Sequence, residues 1–148
     1  RGIPATIKFL LTTANKPYLP NINFNLSHSG DYVVIAIGEN ALGVDVEVIK
    51  DHFDHDLLAK VCFTINERKQ IGNLEDFYTF WTRKEALLKA TGEGLIDNLL
   101  EIECISHRVK RHKEIYALKS FLIDDKHLLS IAYDENVEDV YFWEITAN

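Results

Sequence analysis

A predicted amphipathic helix in the middle of the chain constrains its fold more than any other segment. At about 100° per residue, one face of this helix collects the apolar side chains of Phe77, Phe80, Trp81, Leu87 and Leu88. Lys84 falls near the centre of the same face. Because a buried ammonium group is costly without an anionic partner, the fold must either bring a counter-charge to this helix or let the lysine reach solvent.

The charged residues beside Lys84 leave two interpretations open. Glu85 lies at the edge of the apolar face, with Lys89 one helical turn further on. One carboxylate and two ammonium groups within reach of one point suit a metal ion and a phosphate. Alternatively, Lys84 extends to solvent along its alkyl stem and Glu85 pairs only with Lys89.

Apolar patterning predicts strands at 32–37, 42–47, 99–105, 115–123, 128–133 and 140–145. It predicts helices at about 54–62, 64–71 and 74–91. The first two strands are expected to pair as a hairpin through a turn at Asn40 and Ala41. An order of strands, about three helices and strands again indicates an α+β fold with an antiparallel sheet.

Local signals mark the ends of the predicted helices. Thr64 and Glu67 match a capping box for the second helix, and Asn73 can cap the third. Gly92 suits a left-handed C-terminal cap for the third helix. All three prolines lie before residue 21, so residues 1–30 are predicted to form an extended lead-in and 31–148 a single folded domain.

Composition restricts the partners of the chain. A net charge of −7 opposes non-specific binding to nucleic acid, and no apolar run is long enough to span a membrane. Cys62 and Cys104 lack metal-ligand spacing and are predicted to be buried, reduced thiols of a cytoplasmic protein. One basic cluster is either a solvated turn or a docking patch; its members are Arg108, Lys110, Arg111 and Lys113.

Two acidic residues alternate along a predicted strand. Asp45 and Glu47 are expected on one face of the strand, with valines at 44, 46 and 48 on the other. They form either a solvated edge or, together with Glu85, a set of three carboxylates of the kind that binds Mg²⁺.

A short polar segment precedes the first strong strand. Ser27, His28, Ser29 and Gly30 are predicted to form a turn that presents two hydroxyls, an imidazole and backbone N–H groups to a phosphate. The alternative is a turn with a surface histidine. Lys16 is either a further phosphate contact or an ordinary solvated lysine.

The order of these motifs resembles that of the 4′-phosphopantetheinyl transferase superfamily over about residues 15–95. The segments that carry the resemblance are 16–18 (Lys-Pro-Tyr), 24–29 (Phe-Asn-Leu-Ser-His-Ser), 42–47 (Leu-Gly-Val-Asp-Val-Glu) and 80–94 with its Trp-x-x-Lys-Glu-Ala motif. Because the Ser-His motif precedes the Gly-x-Asp motif, the chain resembles the two-half type that activates surfactin synthetase.

This resemblance implies a role for each residue. Asp45, Glu47 and Glu85 would be Mg²⁺ ligands, and Glu85 would also be the candidate base. Lys89 would contact the pyrophosphate of coenzyme A as a catalytic and binding residue. The remaining coenzyme contacts would be Lys16, Ser27 and His28 at the 3′-phosphate, and Lys84 as a further binding residue.

The implied reaction transfers 4′-phosphopantetheine from coenzyme A to a serine of an apo acyl or peptidyl carrier protein. By resemblance, residues 1–30 would carry the 3′-phosphate contacts and 31–148 would form the C-terminal half of a pseudo-two-fold fold. The N-terminal half has no counterpart here, so we expect either a monomer completed by that half or a homodimer through the exposed junction. The residues alone also allow a Mg²⁺-dependent phosphohydrolase or a non-catalytic interaction module.

Overall fold

The computed structural model describes residues 10–13, 17–20, 22–52, 54–94 and 99–146 and confirms an α+β fold. Its first strands are β1 (Leu10–Leu11), β2 (Pro17–Tyr18), β3 (Asn23–Ser29), β4 (Tyr32–Gly38) and β5 (Leu42–Val48). Its helices are α1 (Asp56–Cys62), α2 (Ile65–Gln70) and α3 (Leu74–Thr91), followed by a 3₁₀ turn at Leu99–Glu101. The last strands are β6 (Arg108–Arg111), β7 (Glu114–Leu122) and β8 (His127–Asp134).

The main sheet has four antiparallel strands in the order β5-β8-β7-β6. Strand β5 therefore lies at one edge, although it precedes the helices in the chain. Strands β3 and β4 form a separate antiparallel hairpin, and β1 pairs with β2. The β3–β4 hairpin spans residue 30, the position at which the predicted lead-in ends, because Ser29 pairs with Tyr32.

Alternation along the strands divides the apolar residues between the two faces of the main sheet. Val44, Val46, Leu129 and Ile131 belong to a core that includes Ala36 of the hairpin. On the opposite face, Leu118, Leu128 and Ala132 pack with the helices in a second core. The molecule is therefore layered as hairpin, sheet and helices.

The predicted helix ends are confirmed. Thr64 and Glu67 make the reciprocal capping box of α2, and Asn73 and Asp76 make a second one at the start of α3. Gly92 ends α3 in the left-handed region, with φ 75°. The two N-terminal boxes leave few unpaired N–H groups at the starts of these helices.

Lys84 is buried, with 1% of its surface exposed, so the interpretation that it extends to solvent is wrong. Its Nζ lies 2.8 Å from Oε2 of Glu67, which is itself fully buried. The same ammonium donates hydrogen bonds to the carbonyls of Cys62, Leu99 and Ile102, at 2.8, 2.8 and 2.6 Å. The counter-charge of Lys84 is therefore a glutamate from α2.

One pairing prediction and two strand predictions are wrong, although the strands predicted at 32–37 and 42–47 are both present as β4 and β5. β4 pairs with β3, and β5 pairs with β8, so the hairpin predicted from 32–37 and 42–47 does not form. Residues 99–105 are not a strand, because side chains occupy their backbone hydrogen-bonding groups. Lys84 donates to the carbonyls of Leu99 and Ile102, and Glu67 accepts from the N–H of Cys104. Residues 140–145 form no strand, and their aromatic side chains are largely exposed.

Two further predictions concern thiols and membranes. Cys62 and Cys104 are buried and free, as expected. None of the helices in the described part of the chain is both long and apolar enough to cross a membrane.

Replacing Lys84 tests the buried pair. Lys84→Met leaves Glu67 charged and unpaired in the core, so we expect the free energy of unfolding to fall by about 3–5 kcal/mol. Urea denaturation measures this change. The matched control is Lys60→Met on the exposed side of α1, which should change stability by less than about 0.5 kcal/mol. Equal effects of the two variants would contradict the structural role of Lys84.

Candidate functional site

The helix-facing edge of the sheet collects the acidic residues. Asp45 and Glu47 lie on β5, while Glu85 and Lys89 lie on α3. Lys89 Nζ is 2.7 Å from Oδ1 of Asp45 and donates to the carbonyl of Val44 at 3.0 Å. Strand and helix are thus joined by an ion pair within the candidate site.

A glycine allows this close approach. A Cβ at Gly43 would collide with the carbonyl oxygen of Ala86 and would lie 2.5 Å from the backbone nitrogen of Ala90. Only a residue without a side chain fits between β5 and α3 at this point. Gly43 therefore sets the distance across which Lys89 reaches Asp45.

Burial and repulsion raise the pKa values of the three carboxylates. Desolvation by burial raises the pKa of Asp45, although Lys89 and the Ser27 hydroxyl act in the opposite direction. Burial followed by repulsion from Asp45 raises the pKa of Glu47 and of Glu85. The site thus carries more negative charge than Lys89 alone neutralises, and a further cation would relieve this repulsion.

One atom in the site is unsatisfied. Oδ2 of Asp45 is buried and has no hydrogen-bond partner among the described residues. The described residues contain no preformed group of three His, Cys, Asp or Glu side chains that could hold a metal ion. A hard cation nevertheless fits the donor chemistry, because it would satisfy Asp45 Oδ2 and offset the mutual repulsion of the three carboxylates.

Side chains of β3 seal the edge of β5. The N–H of Val44 donates to Oδ1 of Asn25 at 2.9 Å. The N–H of Val46 donates to Oγ of Ser27 at 3.2 Å, and that hydroxyl is also 3.0 Å from Asp45 Oδ1. Ser29 repeats the arrangement one step on, accepting from the N–H of Val48 at 3.1 Å and donating to Glu47 Oε2 at 3.2 Å.

The Ser-His-Ser segment is a strand rather than the predicted turn. Ser27 and Ser29 face β5, whereas His28 is exposed and pairs across the hairpin with Val33. The two hydroxyls and the imidazole therefore lie on opposite faces and do not form one cluster.

Two other predicted coenzyme contacts stand apart from the carboxylates. Lys84 points into the core, with its ammonium group held by Glu67 and three carbonyls. Lys16 lies outside the described residues.

Sequence reasoning missed Asn25 and Ser29 as partners of β5, and Glu67 as the partner of Lys84. Residues 24–29 alternate with a period of two, which indicates a strand with two different faces. Apolar or aromatic residues stand at 24, 26 and 28, and small or polar residues stand at 25, 27 and 29. Glu67 was found only as a capping residue, because nothing in the sequence shows which buried charge faces another.

The basic cluster forms strand β6 and the turn that follows it. Arg111 makes two hydrogen bonds to Glu93, at 3.1 and 2.7 Å, and so ties the end of α3 to β6. Arg108, Lys110 and Lys113 remain exposed. The cluster is thus divided between one structural arginine and three exposed cations, of which Arg108 lies 3.8 Å from a carboxylate oxygen of Glu135.

A carboxylate site between a strand and a helix, with a lysine at its centre, is typical of proteins that bind a divalent cation and phosphate groups. Comparison with protein families makes this specific. Residues 41–136 match the family model of the 4′-phosphopantetheinyl transferase superfamily, and the chain belongs to that superfamily. The match runs from β5 through β8 and includes all four residues of the carboxylate–lysine site.

Individual relatives agree with this assignment. A 4′-phosphopantetheinyl transferase of Bacillus subtilis is 33% identical over 116 residues, covering 72% of this chain and 50% of the relative. The transferase HetI of Nostoc sp. is 36% identical over 113 residues, covering 68% and 47%. Human L-aminoadipate-semialdehyde dehydrogenase-phosphopantetheinyl transferase is 35% identical over 108 residues, covering 64% and 34%. The chain spans about half the length of the two bacterial relatives and about a third of the human one.

Gly43→Ala tests the packing of α3 against β5. The added methyl group meets helix backbone that cannot move aside independently, so we expect a loss of stability of about 1–3 kcal/mol or more. Thermal unfolding measures the loss. Gly72→Ala is the control, because its Cβ would meet only Asp76 Oδ2 at an ordinary 3.5 Å. A Gly43→Ala protein as stable as the Gly72→Ala protein would show that the helix does not sit this close.

The Glu93–Arg111 pair predicts a pH dependence. Arg111, with help from Thr91, lowers the pKa of Glu93 to about 2. Because the folded state favours the ionised form, its contribution to stability is full above about pH 4.5 and is lost as pH falls towards 2. Glu93→Gln should therefore lower the midpoint of thermal unfolding at pH 7, and the difference from the unmodified protein should shrink between pH 4.5 and 2. Glu138→Gln, at an exposed position, is the control. If the difference in midpoint between Glu93→Gln and the unmodified protein stayed constant with pH, the linkage would be refuted.

Proposed function

We propose that the protein transfers 4′-phosphopantetheine from coenzyme A to a serine of an apo carrier protein and releases 3′,5′-ADP. The observation that carries this proposal is the meeting of Asp45, Glu85 and Lys89 between β5 and α3, inside the segment that matches the transferase superfamily. The Ser-His motif before β5 further favours the two-half type.

Each residue takes a role from its position. Glu85 is half-buried beside Asp45 and Glu47, and we assign it as the base that accepts the proton of the attacking serine hydroxyl. Lys89 offers an ammonium group to the pyrophosphate of coenzyme A. The serine oxygen bonds to the β-phosphorus, the bond to the bridging oxygen breaks, and that oxygen leaves with 3′,5′-ADP.

Asp45, Glu47 and Glu85 would hold Mg²⁺, which, when bound, supplies positive charge to the pyrophosphate oxygens. Asp45 Oδ2 is buried and finds no partner in the part of the chain that the structure describes, which supports this assignment. Without the cation, the three carboxylates would repel an anionic substrate as well as one another.

Coenzyme A would extend from this site towards the hairpin. We assign Lys16, Ser27 and His28 to its 3′-phosphate, with residues 1–30 as the segment that carries these contacts and 31–148 as the C-terminal transferase domain. His28 is exposed and can reach a ligand, whereas the Ser27 hydroxyl already donates a hydrogen bond to Asp45. Lys84 was expected as a further contact, but its ammonium group is buried and held by Glu67 and three carbonyls, so it is not placed to touch the coenzyme.

The carrier protein is the second partner. Exposed Arg108, Lys110 and Lys113 near the end of α3 offer positive charge to an acidic acyl or peptidyl carrier. The free, buried thiols at Cys62 and Cys104 suit a cytoplasmic setting.

An apolar face of the hairpin would form the junction with a second half. Leu26, Val33, Ile35 and Ile37 share the face of His28 and are 43–71% exposed. Either an N-terminal half or a second copy of the chain would cover this face and complete the coenzyme cleft.

Intact-mass spectrometry of an apo acyl carrier protein, incubated with the protein, coenzyme A and Mg²⁺, tests the reaction. We expect a mass gain of one phosphopantetheine, slowed at least about 100-fold by Glu85→Gln because the base is lost. Glu75→Gln, exposed in the first turn of the same helix, is the matched control and should leave the rate unchanged.

The alternatives give different results in the same assay. Phosphate or 3′,5′-ADP released without a carrier would indicate a phosphohydrolase. No mass gain with any of several acyl and peptidyl carriers, no binding of coenzyme A and no hydrolysis of phosphate esters would contradict both enzymes and favour an interaction module.

A further inference from the structure

The side chains of Asn25, Ser27 and Ser29, which we term the side-chain ladder, take the place of a neighbouring strand at the edge of β5. Alternate N–H groups of an edge strand point outwards and repeat every two residues, or about 6.6 Å. Side chains on one face of β3 repeat at the same interval. The three contacts of 2.9, 3.2 and 3.1 Å to Val44, Val46 and Val48 follow from this shared period.

The residue types in the ladder follow the acidic residues of β5. A hydroxyl oxygen can accept from an N–H and donate to a carboxylate at the same time, and both serines do so. An amide oxygen can only accept. Asn25 stands where the neighbouring β5 residue is Gly43, which has no carboxylate to accept a hydrogen bond.

We propose that Ser27 and Ser29 are positioning residues that hold Asp45 and Glu47 in the orientation needed to bind a divalent cation, while Asn25 fixes the register of the ladder. This inference rests on the proposed metal role of those carboxylates. Each serine bonds one carboxylate oxygen, and at Asp45 the other oxygen, Oδ2, has no partner among the described residues and is available to the cation. Without the hydroxyl, the carboxylate gains rotational freedom that must be lost again on metal binding.

Ser29 provides the sharper test, because Ser27 also has a proposed coenzyme contact. Binding of Mn²⁺ alone, followed by electron paramagnetic resonance at a temperature far below unfolding, measures the carboxylate site without any substrate. We expect Ser29→Ala to weaken Mn²⁺ binding roughly tenfold and Ser29→Thr, which keeps the hydroxyl, to stay within about threefold of the unmodified protein. Ser27→Ala should weaken binding similarly.

Ser120→Ala separates positioning from general stability. Its hydroxyl contacts Arg83 and Ser130 and lies outside the carboxylate site, so its loss should lower the unfolding midpoint without weakening Mn²⁺ binding. The proposal is overturned if Ser29→Ala binds Mn²⁺ as the unmodified protein does, or if Ser120→Ala weakens binding equally. If the unmodified protein bound no Mn²⁺, the metal role in the proposed function would fail and the ladder would have no carboxylate site to position. If Mn²⁺ binding followed the serines but carrier modification were absent, the transferase proposal alone would fail.

Discussion

The buried pair of Lys84 and Glu67 is the interaction on which the rest of the structure depends. It joins α3 to α2, and its remaining hydrogen bonds fix the end of α1 and the segment from 99 to 104. Desolvation makes such a pair expensive, so its value lies in the single arrangement of backbone that satisfies every donor and acceptor. With α3 oriented in this way, the next residue, Glu85, faces the edge of the sheet.

The candidate site is consequently held from two sides. From the helix side, close packing at Gly43 and the Lys89–Asp45 pair set the distance between β5 and α3. From the hairpin side, hydroxyl groups reach the carboxylates. Residues of the hairpin, the edge strand and the long helix therefore all contribute to the positions of Asp45 and Glu47.

Local signals in the sequence were sufficient for the helices, their caps and the α+β class, because caps and periodicity depend on neighbouring residues. Pairing between strands was not predictable in the same way. The short connection from β4 to β5 suggested a hairpin, but β5 pairs with the central strand β8, and Val44 and Val46 are buried in the core between the sheet and the β3–β4 hairpin. Among the candidate residues, alternation placed Asp45 and Glu47 on one face, whereas the partners of Lys84 and Ser27 depend on contacts between distant segments. The segment 99–105 looked like a strand because its apolar pattern does not reveal that side chains occupy its backbone groups.

The side-chain hydrogen bonds along the edge of β5 also affect the tendency of the protein to aggregate. An open strand edge is a template on which another chain can add and begin an aggregate. Here three outward N–H groups of that edge are already engaged, yet the seal is made of short polar side chains that cannot themselves extend the sheet. The same few atoms that orient two carboxylates thus also protect the chain against fibre growth at this edge, so a substitution there would carry a risk to solubility as well as to the site.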